Sequence, residues 1–261
     1  MPNNLSTLIN DSLQRFEEVI HGDCLIEMTK IPDKSVDMIL CDLPYGTTAC
    51  KWDTIIPFEP LWEQYKRIIK DNGAIVLTAS QPFTSALVMS NPSMFRHNWI
   101  WEKSTSGNFM SFKYQPQKRH EDILVFGKNK VNYYPIKYKG EKSHRSKPAN
   151  CNSNVIGLKN NPMGADTSDI KNPLSIIKIM SRDGKSKIHP TQKPVALFEY
   201  LIKTYTNEGD LVLDNCAGSG TTGVACKNLN RQFILIEKEQ EYIDIINKRL
   251  QEAEDLISNQ R

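Results

Sequence analysis

No apolar run in the sequence approaches the roughly 20 residues that cross a bilayer, and the first ten residues lack a basic leader ahead of an apolar core. Neither a membrane span nor an export signal is therefore expected, and a cytoplasmic protein is. The six cysteines, Cys24, Cys41, Cys50, Cys151, Cys216 and Cys226, contain no C-x-x-C pair. Reduced, mostly buried thiols follow from that spacing, rather than a zinc site or a redox couple. His97, His120 and His144 show no ligand spacing, and no metal is expected. Internal repeats and low-complexity tracts are also missing.

What is present describes one α/β domain carrying an insertion. At 261 residues, 39% hydrophobic and 24% charged, the chain can bury one substantial core and is not disordered as a whole. The net charge of +3 conceals an asymmetry. From Lys128 to Lys193 there are 14 basic against 4 acidic residues, a surplus of ten, while the remainder carries 19 basic against 26 acidic. Tyr133, Tyr134 and Tyr138 and a series of asparagines share that stretch, whose bland reading is a solvated insertion.

Outside the insertion, periodicity predicts alternating strands and helices. Strands are expected at 16–20, 36–41, 74–79, 97–101, 122–126, 211–213 and 233–236. Helices are expected at 25–29, at 58–70 with Asn72-Gly73 as its stop, after Gln81-Pro82, at 194–205 and 221–229, and at the end with Ile243, Ile246 and Leu250 on one face.

Two stretches carry chemistry. The apolar run Val36 to Cys41 stops at Asp42-Leu43-Pro44-Tyr45-Gly46, which sets a carboxylate beside an aromatic ring. The second, Asp214-Asn215-Cys216-Ala217-Gly218-Ser219-Gly220-Thr221-Thr222-Gly223, follows a strand and opens a helix. Its glycines fit G-x-G-x-x-G, with Glu237 at the end of the next strand. A dinucleotide domain would need further strand-helix units, yet only 24 residues follow Glu237. The missing strands must come from the N-terminal half, placing Asp214 and Cys41 at neighbouring strand ends over one crevice. No Gly-Lys-Ser/Thr follows the glycines, so a nucleoside ligand without a triphosphate grip is expected.

Together these residues resemble the S-adenosylmethionine-dependent DNA amino-methyltransferases, specifically the β-group, in which the catalytic tetrapeptide precedes the cofactor loop. Asp42-Leu43-Pro44-Tyr45 is similar to the family's Asp-Pro-Pro-Tyr motif, with Leu43 where proline is usual, and Asp214 to Thr222 is similar to its cofactor loop. His21-Gly22-Asp23-Cys24, Trp101-Glu102-Lys103 with His120 to Phe126, and His189-Pro190-Thr191-Gln192-Lys193-Pro194 agree in order and spacing.

The resemblance implies a doubly wound, mostly parallel, seven-stranded Rossmann-like sheet, circularly permuted. Residues 1–127 would form its catalytic half, 188–261 its cofactor-binding half, and 128–187 an inserted target-recognition region. Asp42, Leu43, Pro44 and Tyr45 would be catalytic. Asp23 would contact the cofactor adenine, with Cys24 and Asp42 nearby, and Glu237 the ribose. Asp214, Cys216, Ala217, Gly218, Ser219, Gly220, Thr221 and Thr222 would hold the methionine end, and Thr191 and Lys193 its carboxylate region. Lys103, Lys113, Lys118, Arg119, Lys137, Lys139 and Arg145 would meet DNA.

The chemistry implied is transfer of a methyl group to the N6 amine of a flipped adenine in duplex DNA. Asp42 and a backbone carbonyl at Leu43 or Pro44 would accept the amine hydrogens while Tyr45 stacks on the base. The alternatives are N4 of cytosine, a DNA-binding regulator without turnover, and an RNA or protein amine as acceptor. Besides duplex DNA, the partners implied are a second copy of the chain and a cognate restriction endonuclease.

Overall fold

The computed structural model describes residues 16–48, 50, 53–107, 111–140, 169–181 and 192–259. The chain divides into two compact units, one made of residues 1–134 and 175–261, the other of 135–174.

The larger unit is built on a sheet that starts with β1 (Glu17–His21), β2 (Val36–Cys41), β3 (Ile69–Ala79), β4 (Phe95–Glu102) and β5 (His120–Phe126). In the smaller unit, β6 (Tyr138–Lys139) and β7 (Ile170–Lys171) form an antiparallel pair. Three later strands, β8 (Ile176–Lys178), β9 (Leu211–Asp214) and β10 (Gln232–Glu237), return to the large sheet. Its order is β1-β10-β9-β2-β3-β5-β4-β8. All pairs are parallel except β3 with β5 and β5 with β4.

The expected junction of the two halves is present: β2 and β9 run side by side, with Met38 opposite Val212 and Ile39 opposite Leu213. From that pair the chain winds in opposite directions, β2 stepping to β3 and β9 stepping to β10. Parallel crossovers share one hand, so opposite steps put the connecting helices on opposite faces. Accordingly α1 (Cys24–Glu27), α2 (Phe58–Ile68) and α3 (Phe83–Ser90) belong to one face, and α4 (Val195–Tyr205), α5 (Thr221–Asn228) and α6 (Gln240–Ser258) to the other. Alternate residues of β2 serve the two cores. Ile39 and Cys41 pack with Leu61, Tyr65 and Phe83, whereas Met38 and Leu40 pack with Phe198, Leu201 and Ile246.

The seven expected strands are present, and β8 from within the 128–187 stretch adds an eighth at the edge beside β4. The largest departure is at residues 69–73, expected to end a helix. The helix stops at Ile68, and Ile69 already pairs with Val36 before pairing resumes with Ala74 opposite Met38. The residues between form a bulge. A Cβ on Gly73 would lie 2.7 Å from the carbonyl oxygen of Asp37, so this glycine permits a close strand approach instead of stopping a helix.

Candidate active site

Asp42 is the first residue beyond β2, and its carboxylate takes three hydrogen bonds. The Tyr45 hydroxyl donates to Oδ1 at 2.8 Å, the Thr78 hydroxyl of β3 donates to the same oxygen, and the Lys193 ammonium donates to Oδ2 at 2.6 Å. The Tyr45 ring stacks on Phe83 with centroids 5.2 Å apart and planes 25° from parallel. Thus hydroxyl and ring face are both fixed, the first by the acid and the second by α3. Burial and the Asp42 and Glu121 carboxylates push the Tyr45 hydroxyl well above its ordinary value, so it remains a donor.

Leu43, in the place of the family's usual proline, is 3% exposed and packs in the core. A buried side chain anchors the turn where a ring would stiffen it. Past Gly46, Asp53 accepts the backbone N–H groups of Gly46, Thr47 and Thr48 at 2.9, 2.9 and 2.7 Å. Burial would raise the Asp53 carboxyl, but these donors and the Thr48 hydroxyl hold it below the usual range.

Lys193, expected near the carboxylate region of the cofactor, lines the cavity, bonds Asp42 and lies 3.4 Å from Glu121, whose other oxygen is 2.7 Å from Lys103. Burial alone would push the Lys193 ammonium down, yet Asp42 and Glu121 hold it above the ordinary lysine value. For Glu121 the desolvation that would raise its carboxyl is likewise outweighed by Lys193 and Lys103. Sequence reading missed Thr78, Phe83, Asp53 and Glu121. Only Glu121 carried a signal, as part of a recognised motif.

Across the crevice, the glycine loop runs from Asp214 into α5. Gly218 and Gly220 take φ of 51° and 76°, where L side chains are strained. An added Cβ would meet open space at Gly218 but Ile246 at 3.0 Å at Gly220. Gly223 serves packing, since its Cβ would lie 2.7 Å from Leu235. Asp214 accepts from the Cys216 N–H at 3.1 Å and from the Thr222 hydroxyl, and burial, the leading cause, with Asp42 adding, pushes its carboxyl up to about 7 against those bonds. The Tyr65 hydroxyl of α2 donates to Asn215 Oδ1 at 2.6 Å and ties the loop to the other face of the sheet.

Glu237, at the end of β10, accepts the Gly218 N–H at 2.7 Å on one oxygen and the Lys238 and Glu239 N–H groups at 2.8 and 3.0 Å on the other. Burial raises its carboxyl despite these bonds. Asp23 caps α1 by accepting the Leu25 N–H at 3.0 Å.

These groups surround one cavity of about 680 Å³, within the ordinary range for a small-ligand site. Asp23, Cys24, Asp42, Leu43, Pro44, Tyr45, Lys193, Asp214, Cys216, Ala217, Gly218, Ser219, Thr221 and Glu237 all line it. Gly220 and Thr222 stand behind the wall, as N-cap of α5 and partner of Asp214. Thr191 and Arg145 lie outside the described residues. Among the expected DNA contacts, Lys103 is turned inward to Glu121 and the Trp101 ring, and Lys118 bonds the Ser80 hydroxyl. Lys113 and Arg119 are exposed on the larger unit, and Lys137 and Lys139 are exposed on the smaller one.

Ligands of doubly wound sheets collect where the strand order reverses. Here that point offers the backbone of a glycine loop to one ligand and a carboxylate beside a ring to another, an arrangement suited to group transfer between two bound molecules. Comparison with known proteins says which group transfer. The DNA methylase family model, covering N6 and N4 methyltransferases, matches residues 36–248, and the chain belongs to this family of DNA methyltransferases.

Among curated relatives, it is 31% identical to the Type II methyltransferase M.HpaI of Haemophilus parainfluenzae over 90% of this chain and 74% of that one. It is 30% identical to M2.DpnII of Streptococcus pneumoniae over 89% of both chains. Among solved structures, the M1.HpyAVI-SAM complex is 27% identical with a TM-score of 0.62, covering 90% of this chain and 100% of that one. The PvuII cytosine-N4-specific DNA methyltransferase, at 14% identity and a TM-score of 0.64 over 92% of each chain, shares the fold.

Proposed function

We propose that the protein transfers a methyl group from S-adenosylmethionine to the N6 amine of an adenine flipped out of duplex DNA. The observation that carries this reading is the coordination of Asp42. An ionised carboxylate offers about four lone-pair directions. Tyr45 and Thr78 occupy Oδ1 and Lys193 takes one direction of Oδ2, which leaves one for an amine hydrogen.

The cavity suits the donor. Gly218, at a positive φ with open space where a Cβ would stand, leaves its backbone accessible, while Glu237 at the end of β10 would take the ribose hydroxyls and Asp23, the cap of α1, the adenine. Bound there, S-adenosylmethionine supplies an electrophilic methyl group on sulfonium sulfur.

The protein's task is to prepare the nucleophile. An exocyclic amine is weak because its lone pair is delocalised into the ring. By accepting one hydrogen at Asp42 and another at the Leu43 or Pro44 carbonyl, the motif draws nitrogen toward tetrahedral geometry and localises the pair. Asp42 then faces the positive charge that develops on nitrogen, an electrostatic contribution, while alignment of the two ligands removes the entropy cost of their encounter. Tyr45 holds the base flat. Adenine is favoured over cytosine because members of the family the motif resembles with Asp first and Tyr last mostly act on adenine.

Residues 128–187, with their basic surplus, form the target-recognition region in this reading. A second copy of the chain and a cognate endonuclease are its further partners, in keeping with relatives named Type II methyltransferases.

Transfer of tritiated methyl to plasmid DNA, followed by digestion and mass spectrometry, tests this. Counts in 6-methyladenine are expected from wild type and not from Asp42→Ala. Finding 4-methylcytosine alone overturns the adenine assignment, equal counts from both proteins overturn the mechanism, and no counts from either favour a regulator without turnover.

A further inference from the structure

The loop between β4 and β5 is rooted in the crevice and carries aromatic surface at its far end. Close to the sheet its two arms are joined: the Lys103 N–H donates to the Arg119 carbonyl at 2.7 Å, the Gly107 N–H to the Lys118 carbonyl at 3.2 Å, and the Ser106 hydroxyl to Gln117 at 3.0 Å. Thr105, Ser106 and Gly107 form part of the cavity wall. Further out, the N–H groups of Tyr114 and Gln115 both reach the Ser111 carbonyl, at 2.9 and 3.1 Å, closing a tight turn. That turn leaves Phe112 59% and Tyr114 90% exposed, with the exposed Lys113 between them.

A single exposed ring needs no explanation, but two rings flanking a lysine on one exposed turn need one. Nothing in the packing of either core calls on Tyr114. The known substrate class supplies a use. A base taken into the cavity leaves a hole in the stack of the duplex, and side chains that enter such a hole are flat or apolar and flanked by cations that meet phosphates.

We propose that the turn 111–115 enters the duplex and that Tyr114 occupies the place the flipped base vacates, with Lys113 on the neighbouring backbone. This rests on the base-flipping reading above. It gives the two tyrosines distinct tasks: Tyr45 holds the extruded base, and Tyr114 stabilises the hole left behind. Both act on the same opening equilibrium, one from each side.

The experiment compares wild type, Tyr114→Ala and Tyr114→Phe on two duplexes built around a sequence mapped as methylated in cells expressing the protein. In one the target base is normally paired; in the other it faces an abasic site and is already unpaired. With the paired target, Tyr114→Ala is expected to lower kcat/KM by about ten-fold or more, while Tyr114→Phe stays near wild type. With the unpaired target the Ala variant should come within about two-fold of wild type, because the work of opening has been done in advance. An unchanged Tyr114→Ala on the paired duplex, or an equal loss on both, overturns the insertion while leaving the methyltransferase reading intact. Absence of methyl transfer by wild type on either duplex overturns that reading, and the insertion with it.

Discussion

The Lys193 ammonium lies 2.6 Å from Asp42 Oδ2, although 151 residues separate the two in the chain. Lys193 also faces Glu121, so two carboxylates share one cation inside the cavity wall. Removing a buried partner strands the charges it balanced, which typically costs about 3 kcal/mol or more. Lys193→Met is therefore expected to lower the melting temperature and abolish most methyl transfer. Adding Glu121→Gln to it should recover part of the lost stability in thermal denaturation, since Asp42 stays unbalanced and Lys103 loses its partner, and should not restore activity, since Asp42 still lacks its positioning contact. A double variant no more stable than Lys193→Met would show that Glu121 is not part of the balance.

Tyr45 is held by its hydroxyl at Asp42 and by its ring on Phe83. The two attachments separate by mutation. Tyr45→Phe keeps the stacking surface and loses only the hydroxyl on Oδ1, so affinity for target DNA should be retained while kcat falls. Tyr45→Ala loses the platform as well, with a further loss on the order of 1–3 kcal/mol in binding of the extruded base. Equal kinetics for the two variants would remove stacking from the account.

Asp214 gives the fold a pH dependence of defined sign. Burial first, with Asp42 adding, raises its carboxyl from 3.8 to about 7. Between those values the folded state keeps a proton that the unfolded state has released, so stability is greatest below the lower value and declines as pH rises through the upper one. Asp214→Asn cannot ionise, and its melting temperature should fall less across that window than that of wild type. Parallel melting curves for the two proteins across the window would remove Asp214 as the source.

Local pattern and long-range contact were unequally visible in the sequence. The apolar run Val36 to Cys41 was bounded correctly because a strand buried on both faces is continuous in sequence. The glycine loop was read as sharing a crevice with the strand ending at Cys41, and β2 does lie beside β9. Residues 69–73 misled because Asn72-Gly73 is chemically the same signal at a helix end and at a bulge; the choice is made by Asp37 on another strand. Thr78 looked like an ordinary strand residue and Phe83 like an ordinary core ring. Their contacts with Asp42 and Tyr45 exist only once β3 and α3 are laid beside β2. The position of Lys193 in a motif suggested a ligand contact, while its partners, Asp42 and Glu121, are set by the closing of the two halves of the sheet.

The charge surplus between Lys128 and Lys193 makes a prediction about salt. Each lysine that neutralises a phosphate releases counterions and adds about 0.9 to the slope of log affinity against log salt. Lys137 and Lys139 are exposed in the smaller unit, the second with Asp169 3.9 Å away. Replacing both by alanine should flatten the slope by nearly two contacts' worth if Asp169 yields Lys139 to the DNA, or by about one if it does not. Turnover at saturating DNA should hold, because neither residue lines the cavity. Measured by fluorescence anisotropy at several salt concentrations, an unchanged slope would take this part of the insertion off the DNA, whereas a reduced slope with unchanged kcat would assign it to binding alone.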